Sequence, residues 1–457
     1  MDSSNSNLNA DMISLSSSNI GDRTDHVTNT GEKRGIIATT YDSGFPMSHD
    51  TYNGMCAASD GNIYYVLCSE SISEGGKMYA FIPATNKIIF CGDLTEICGE
   101  KGLNTIPQGK SHVTFVEVDK KLFFATHIGY YSHVDGMDKM GIPLEGYKEY
   151  PGGHLLCYDM DTKEFRDLCT TPQKEGVLTM NMDIQRNVIY GITWPKGYFF
   201  RYDLRKNEMK NFGLVSFDGE NGTGENFRAL CRSIAINPDD GSVYFSTSEG
   251  KIVCCRQGSD QLEVINDDDL QKDYFGSYDP SSPGHMGYNW RQVFWYSPHQ
   301  CFYGVHGNSG YLFRFNACDN KVEVIERLTS IPSQRSGMYD QFTYGYLGFA
   351  LGPDQKTIYY LTGAPMYENG KRVEGKLNSA KGEAKGLEHL HLVTYDLVDQ
   401  KYKDYGPILF SNGESPLYVN SIAVGLDGKI YFMGRITENG STRTDLISIP
   451  NPLFSKE

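Results

Sequence analysis

Residues 110–129 read KSHVTFVEVDKKLFFATHIG, a stretch that predicts two β-strands joined by a tight turn in the DKK segment. Branched and aromatic residues favour strands, whereas short polar segments favour turns. His112 stands where the first predicted strand begins and His127 where the second ends. Both histidines therefore lie at the same end of the predicted hairpin.

The second strand of this hairpin recurs along the chain. Each copy has a branched or aliphatic residue followed by positions rich in Tyr, Phe or Gly, and each follows a turn. The seven copies are NIYYVLC from Asn62, KLFFATH from Lys121, VIYGITW from Val188, SVYFSTS from Ser242, CFYGVHG from Cys301, TIYYLTG from Thr357 and KIYFMGR from Lys429. Most copies continue into a third strand, a polar turn and a fourth strand. The repeat predicts an all-β, seven-bladed β-propeller of four-stranded antiparallel blades.

The two ends of the chain complete this prediction. Residues 1–34 are rich in Ser, Asn and Asp and lack the apolar core of a signal peptide, so we expect a disordered N-terminal tail. Residues 35–457 are expected to form the single propeller domain. The last copy has no fourth strand of its own, and GIIATTY, Gly35–Tyr41, is predicted to supply it, which would remove an exposed sheet edge.

The net charge indicates which classes of partner are disfavoured, and the cysteine content indicates the redox state of the compartment. The net charge of −15 disfavours binding to nucleic acid or to an anionic membrane, although local arginines can still bind a small anion. The 11 cysteines are odd in number and contain no CxxC pair, which favours free thiols in a reducing compartment. We therefore expect a cytoplasmic protein.

The long connections are predicted to lie on one face of the disc. They are the links from second to third strands and from one blade to the next, and they include residues 129–152, 216–230, 266–289, 329–344 and 364–389. Long loops on a rigid scaffold often carry function. The same face holds the predicted starts of the innermost strands and the ends of the second strands.

Ten residues at those strand ends are candidates for a functional funnel. The proposed catalytic residues are His112 and His127, because histidine can act as a general acid or base. The remaining candidates supply arginines for a carboxylate and rings for a flat ligand. They are Tyr52, Trp194, Arg232, Trp290, Arg291, His306, Tyr346 and Arg435.

Each candidate also has a structural interpretation. A histidine at a strand end is more often a loop hydrogen bonder than a catalyst. Arg232 and Arg291 could pair with acidic loops such as Asp267–Asp269, and Trp194, which precedes Pro195, could simply pack a blade. The convergence of residue types at one face is what favours function.

Three segments resemble a group of carbohydrate-active propeller enzymes. They are SHVTFVEVDKKLFFATHIG from Ser111, YPGGHLLCYDMDTKEFRDL from Tyr150 and VIYGITWPKGYFFRYDLRK from Val188. The resemblance is to rhamnose–glucuronate lyases and to related glycosidases that act on rhamnosyl-glucuronate ends. It implies a funnel histidine acting at the uronate C5 or the leaving oxygen with help from a tyrosine, and arginines neutralising the uronate carboxylate.

The resemblance places His112, His127 and Arg232 on matching positions. In blade three the lyases would be expected to have a tyrosine and an arginine, but this chain has Leu178 and Trp194. Elimination, hydrolysis and simple binding therefore all remain open. Arg291, His306 or Arg435 would have to supply the missing charge.

The resulting expectation is an enzyme that cleaves a uronate-containing glycoside, as a lyase or a glycosidase. The expected partner is an oligosaccharide or glycoside with a carboxylate, without nucleic acid or membrane. No cofactor is expected, and a bound divalent cation such as calcium is left open. The alternative is a non-catalytic propeller that binds a sugar or a protein. A metal-dependent lactonase ranks last because the funnel positions named above include no Asp or Glu.

Overall fold

The computed structural model describes residues 35–50, 52–134, 137–283, 285–335, 348–365, 367–368, 371–372, 387–438 and 441–454. The predicted tail 1–34 and the candidate Tyr346 lie outside these residues. Within the described part of the chain, seven four-stranded antiparallel blades form a β-propeller, and blade six carries one additional short edge strand. This confirms the predicted fold.

The strands of each blade follow one another from the centre of the ring outward. In blades one to three they are Met55–Ala57, Ile63–Leu67, Lys77–Ile82 and Lys87–Asp93; Val116–Val118, Lys121–Ala125, His154–Asp159 and Phe165–Thr170; Gly176–Asp183, Val188–Trp194, Tyr198–Asp203 and Glu208–Leu214. In blades four and five they are Ala235–Ile236, Val243–Ser246, Ile252–Cys255 and Leu262–Ile265; Trp290–Tyr296, Cys301–His306, Tyr311–Asn316 and Lys321–Arg327. In blades six and seven they are Gly348–Leu351, Thr357–Pro365, Leu387–Asp396 and Lys401–Leu409; Ala423–Val424, Lys429–Glu438, Ser441–Pro450 and Thr39–Thr40.

Few other elements interrupt the sheets in the residues that the structure describes. The loops contain two small hairpins, two short α-helices and five 3-10 turns. They are Tyr131–Val134 with Met137–Met140 and Tyr367–Glu368 with Lys371–Arg372; Leu94–Ile97 and Ile331–Arg335; Pro172–Lys174, Gly219–Asn221, Gly224–Asn226, Asp273–Phe275 and Ser297–His299. No helix in these residues is long and apolar enough to cross a membrane.

The N-terminal segment closes the ring, as predicted, but it does so in two parts. Thr39–Thr40 pairs antiparallel with the third strand of blade seven and becomes its outer strand. Ile36–Ile37 instead runs parallel to Ile408–Leu409 at the outer edge of blade six. The prediction that all of Gly35–Tyr41 would join blade seven was therefore wrong. The segment crosses from the outer edge of blade six to that of blade seven, so only two of its residues pair with each blade.

The hairpin of blade two shows why these strands form. Its turn residues, Asp119 and Lys120, both have positive φ angles, of 48° and 61°, which suits the twist of a two-residue hairpin turn. The second strand is buried from Leu122 to Ala125. Residues on both of its faces are apolar because each blade is packed between its neighbours.

Several innermost strands begin later than predicted. In blade two the ladder starts at Val116, four residues after His112, and in blade four it starts at Ala235, three residues after Arg232. These candidates therefore lie on the irregular segments that lead into the strands.

A buried histidine links the strands of blade two to a neighbouring loop. The Nδ1 of His154 lies 2.8 Å from the Asp167 carboxylate, and its Nε2 lies 2.9 Å from Glu100. A carboxylate can only accept, so both ring nitrogens donate and the ring is an imidazolium. Burial opposes this charge, but the hydrogen bonds with Asp167, Cys98 and Glu100 raise the pKa of His154 to about 12. The result is a buried ion network within the blade.

Candidate active site

The long-loop face holds a cavity that opens to solvent, with about 800 Å³ of space between its atoms when the open solvent in its mouth is included. The segments leading into the innermost strands, the ends of second strands and two of the long loops contribute to its wall. The lining residues are Tyr52, Asn53, His112, His127, Tyr131, Met137, Asp138, Leu178, Trp194, Glu220, Arg232, Arg291 and Tyr418. Six of the ten candidates are thus brought together around one cavity: Tyr52, His112, His127, Trp194, Arg232 and Arg291.

Four of these residues form a stack of rings along one wall. Tyr52 and His112 have ring centroids 3.6 Å apart, and the two histidine rings lie 4.2 Å apart. His127 is followed by Trp194, whose ring centroid is 5.3 Å away. A wall of this kind can contact the flat or apolar face of a ligand ring, while the histidine nitrogens provide polar contacts.

His127 has a fixed tautomer. Its Nδ1 lies 2.9 Å from the carbonyl oxygen of Ile128, which can only accept a hydrogen bond, so Nδ1 carries the proton. In the neutral ring Nε2 then carries a lone pair, and this buried atom has no hydrogen-bond partner among the described residues. The ring fits here because Gly176 has no side chain, and a Cβ at Gly176 would lie 3.0 Å from it. This arrangement suits a proton acceptor.

The surroundings of both histidines favour the uncharged imidazole. Burial, then His127, Lys110, Arg232 and Arg291, lower the pKa of His112 well below its ordinary value. Burial also lowers the pKa of His127 to about 3, with smaller contributions from Lys110 and Arg232, against the hydrogen bond to Ile128. The Nε2 of His112 is likewise buried without a hydrogen-bond partner in the part of the chain described. The cavity thus presents two neutral imidazoles beside cations.

Glu220 connects the ring stack to the neighbouring arginine. Its carboxylate accepts hydrogen bonds from Trp194 Nε1 at 2.9 Å and from the backbone amide of Leu230 at 3.0 Å. It also pairs with Arg232 Nη2 at 2.6 Å. The loop containing Glu220 is joined to the hairpin over the cavity by Lys139, which donates to the carbonyl oxygens of Glu220 and Gly222. The partner of Arg232 is therefore Glu220 and not the acidic loop at 267–269.

Arg291 reaches the cavity from blade five. Its guanidinium is buried, donates to the side-chain oxygen of Asn420 at 3.2 Å and contacts the sulfur of Met286 at 3.8 Å. A β-bulge between Trp290 and Gln292 sets the direction of this side chain. A cation placed in this wall can attract the carboxylate of a ligand.

Three candidates lie away from the cavity wall. Trp290 is fully buried in the core and donates from Nε1 to the Ser233 carbonyl at 2.8 Å. His306 stacks on Phe275 at 4.2 Å, its Nδ1 lies 2.8 Å from Ser309 Oγ, and burial lowers its pKa to about 3.

Arg435 lies behind the cavity wall, where it pairs with the buried Asp50 carboxylate. Its guanidinium carbon lies 4.4 Å from the ring centroid of Tyr418, and that ring does line the cavity. Arg435 thus supports the wall from outside.

Sequence reasoning missed two groups of residues. Asp138 and Glu220 line the cavity beside the funnel positions named from the sequence, none of which is acidic. Both lie in long loops without a periodic signal. Lys110 is fully buried behind Tyr52 and Tyr131. It heads the quoted hairpin segment and pairs opposite His127, but this pairing is seen only in the structure, and the sequence carries no signal for the burial of the lysine.

One trio in the described residues has the composition of a metal site. Ligand atoms of His49, Asp50 and Glu70 lie within 4.8 Å of one another. However, Lys110 Nζ lies 2.7 Å from Glu70, and Arg435 pairs with Asp50. Both carboxylates are thus already neutralised by cations, so the donor set fits an ion-pair network better than it fits a divalent cation.

Comparisons with known proteins identify no family for this chain. No protein-family profile and no curated protein matches the chain. Among similar solved structures, a chain from a crystal structure of the mitotic checkpoint complex is 10% identical, with a TM-score of 0.47 over 97% of this chain and 100% of that chain. A structural genomics protein of unknown function from Bacteroides thetaiotaomicron is 10% identical, with a TM-score of 0.40 over 92% and 91%. Neither likeness bears on what this chain does.

Proposed function

We propose that the protein binds a uronate-containing glycoside in this cavity and cleaves its glycosidic bond. The observation that carries the proposal is the pair of neutral, stacked imidazoles, each with a buried Nε2 that has no partner in the described structure, beside Arg232 and Arg291. The arginines would attract the carboxylate. Trp194 and Tyr52 would contact the sugar ring.

Elimination fits these residues better than hydrolysis does. His127 Nε2 would accept the proton from C5 of the uronate, the C4–C5 double bond would form, and the bond from C4 to the glycosidic oxygen would break as the Tyr131 hydroxyl gives that oxygen a proton. A nearby cation acidifies the C5 proton by neutralising the carboxylate. Hydrolysis usually uses two carboxyl groups, and the carboxylate of Glu220 is already engaged by Trp194, Leu230 and Arg232.

A tyrosine from blade two would replace the tyrosine that is missing from blade three. Leu178 stands where the resemblance implies a tyrosine, but Tyr131 lies beside His127, with its hydroxyl 3.4 Å from Nδ1. Burial raises the pKa of Tyr131 well above its ordinary value, so it is a protonated donor at neutral pH. Its hydroxyl donates to Ile128 O at 2.8 Å, which supports the same carbonyl that orients His127.

The test is a screen of oligosaccharides in which a sugar is linked to O4 of a glucuronate. The readout is an increase in ultraviolet absorbance, which reports the unsaturated product. We expect His127→Gln and His112→Gln to lower kcat/KM by about 100-fold or more, the usual effect of losing a general acid or base. The matched control is His306→Gln, which removes a buried histidine outside the cavity. New reducing ends without absorbance would indicate hydrolysis, and binding without product would favour the non-catalytic alternative. Full activity of both cavity variants would refute the assignment.

A further inference from the structure

Asp138 is an acidic residue of the cavity wall to which the proposed chemistry gives no role. It lines the same cavity as Arg232 and Arg291, and its side chain is 22% exposed, so a ligand can reach it. A negative charge near a bound anion weakens the binding of that anion unless it makes favourable contacts with the ligand. Glu220, the other acidic lining residue, is engaged by Trp194 and Arg232. Asp138 therefore needs an explanation of its own.

A small hairpin presents Asp138 to the cavity. Asp138 lies on its Met137–Met140 strand, opposite His133, and its Oδ1 lies 3.1 Å from His133 Nε2. The next residue, Lys139, donates to two backbone carbonyl oxygens in the loop that contains Glu220. The hairpin is thereby tied to a second loop of the cavity wall, which defines where Asp138 stands.

The cavity wall combines side chains that only donate hydrogen bonds with one that only accepts them. Arg232 and Arg291 come from blades four and five, whereas Asp138 comes from the hairpin of blade two. A uronate ring likewise has a carboxylate, which only accepts, and hydroxyls on other carbons, which can donate. A guanidinium can bind the carboxylate, and a carboxylate can bind a hydroxyl. Because Asp138 has two carboxylate oxygens, its contact with His133 leaves acceptor sites for a ligand.

We propose that Asp138 is a specificity-determining residue that accepts a hydrogen bond from the C2 or C3 hydroxyl of the bound uronate. The proposal rests on the proposed function, which supplies the uronate, and it narrows the substrate class. Apart from the anomeric one, the ring hydroxyls left free when O4 carries a sugar are those at C2 and C3. A ring that lacks the contacted hydroxyl loses the hydrogen bond, and a sulfate ester there also brings a second negative charge toward Asp138. Substrates with both hydroxyls free are therefore favoured.

The test measures the binding of methyl D-glucuronoside and of its 2-deoxy and 3-deoxy analogues by calorimetry. In the wild type, one of the two deoxy changes should weaken binding about tenfold or more, the usual effect of losing a hydrogen bond to a charged group. In Asp138→Ala the same deoxy change should cost little, because the acceptor is already gone. If each deoxy analogue loses the same factor in both proteins, Asp138 does not bind a ring hydroxyl and the proposal is wrong.

The matched control is His133→Ala, which removes the same contact within the hairpin from its 57% exposed side. This variant should keep the full deoxy penalty. An equal loss of the penalty in both variants would show that Asp138 only holds the hairpin, which would overturn the proposal. If Asp138→Ala fails to fold, Asp138→Asn takes its place, and the penalty should fall severalfold because a neutral acceptor forms a weaker hydrogen bond. An unchanged penalty in Asp138→Asn would again contradict the proposal.

These binding measurements separate the role of Asp138 from the proposed reaction. Coupling between Asp138 and a ring hydroxyl without any cleavage would contradict only the reaction. Cleavage without that coupling would contradict only the role of Asp138. If the wild type binds none of the three ligands, both proposals fail.

Discussion

Glu220→Gln should lower the stability of the protein and tighten its binding of anions. The wild-type carboxylate accepts from Trp194 Nε1 and the Leu230 amide, and it pairs with Arg232. The glutamine amide has the shape of the carboxylate, but an NH2 group replaces one of its two acceptor oxygens. At least one of the groups that donate to Glu220 in the wild type would then face a donor. The guanidinium of Arg232 also loses its counter-charge, although it still donates to the Leu230 carbonyl at 2.8 Å.

These contacts give the expected loss of stability and the expected gain in anion affinity. Removing one partner of a buried ion pair costs about 3–5 kcal/mol. Because Arg232 keeps one backbone acceptor and lies at the cavity wall, we expect about 2–3 kcal/mol. Removing a negative charge from the wall should strengthen D-glucuronate binding about tenfold, which corresponds to about 1.4 kcal/mol.

The assays are urea denaturation for stability and calorimetry for binding. The control is Glu225→Gln, the same change on an exposed side chain of the same loop, which should alter neither. If Glu220→Gln binds D-glucuronate more weakly than the wild type while remaining folded, the cavity does not use Arg232 for anions. If its stability is unchanged, the carboxylate is not holding the wall together.

Three further changes test other parts of the structure. His154 has a folded pKa of about 12, above that of an unfolded histidine, so its stabilising effect is complete below about pH 6.5 and declines as pH rises toward 12. His154→Gln should reduce this decline, by up to about 1.4 kcal/mol per pH unit in denaturation measured from neutral to mildly alkaline pH, and an unchanged slope would contradict it. Gly176→Ala should displace the His127 ring by a few tenths of an ångström and lower D-glucuronate affinity or turnover, whereas wild-type values would show that the ring tolerates the shift. Deleting residues 1–41 should lower the unfolding temperature and promote association, while deleting 1–34 should not, because only the longer deletion removes the closing strands.

The repeated hairpins could be predicted because their signals are local. A turn followed by a strand of branched and aromatic residues recurs with little change, so the number of blades follows from counting copies. The direction of single side chains could not be predicted in the same way. Trp290 and Arg291 are neighbours, and successive strand residues point to opposite faces, so only one of them can reach the cavity. The bulge that decides in favour of Arg291 leaves no mark in the sequence.

The charge partners in the site were harder to predict because they come from distant segments. Glu220 lies in a loop rich in Gly and Asn, and two 3-10 turns bring it under Trp194 and Arg232. Lys110 and Glu70 belong to different blades, and they meet only once the blades pack. A lysine within a strand-like segment is normally taken as solvent-exposed. Lys110 is fully buried because it contacts residues that lie far from it in the sequence and show no regular spacing relative to it.

The ring closure has a consequence for how the chain is made. Ile36–Ile37 and Thr39–Thr40 precede every other strand described, yet they pair near residues 408 and 447. During translation these early strands must wait until nearly the whole chain has left the ribosome. A nascent chain that stalls in blade six would leave this segment unpaired, with the outer edges of blades six and seven not yet closed. Ribosomal pausing late in the message should therefore yield products that aggregate, whereas a completed chain can seal both edges with one short segment.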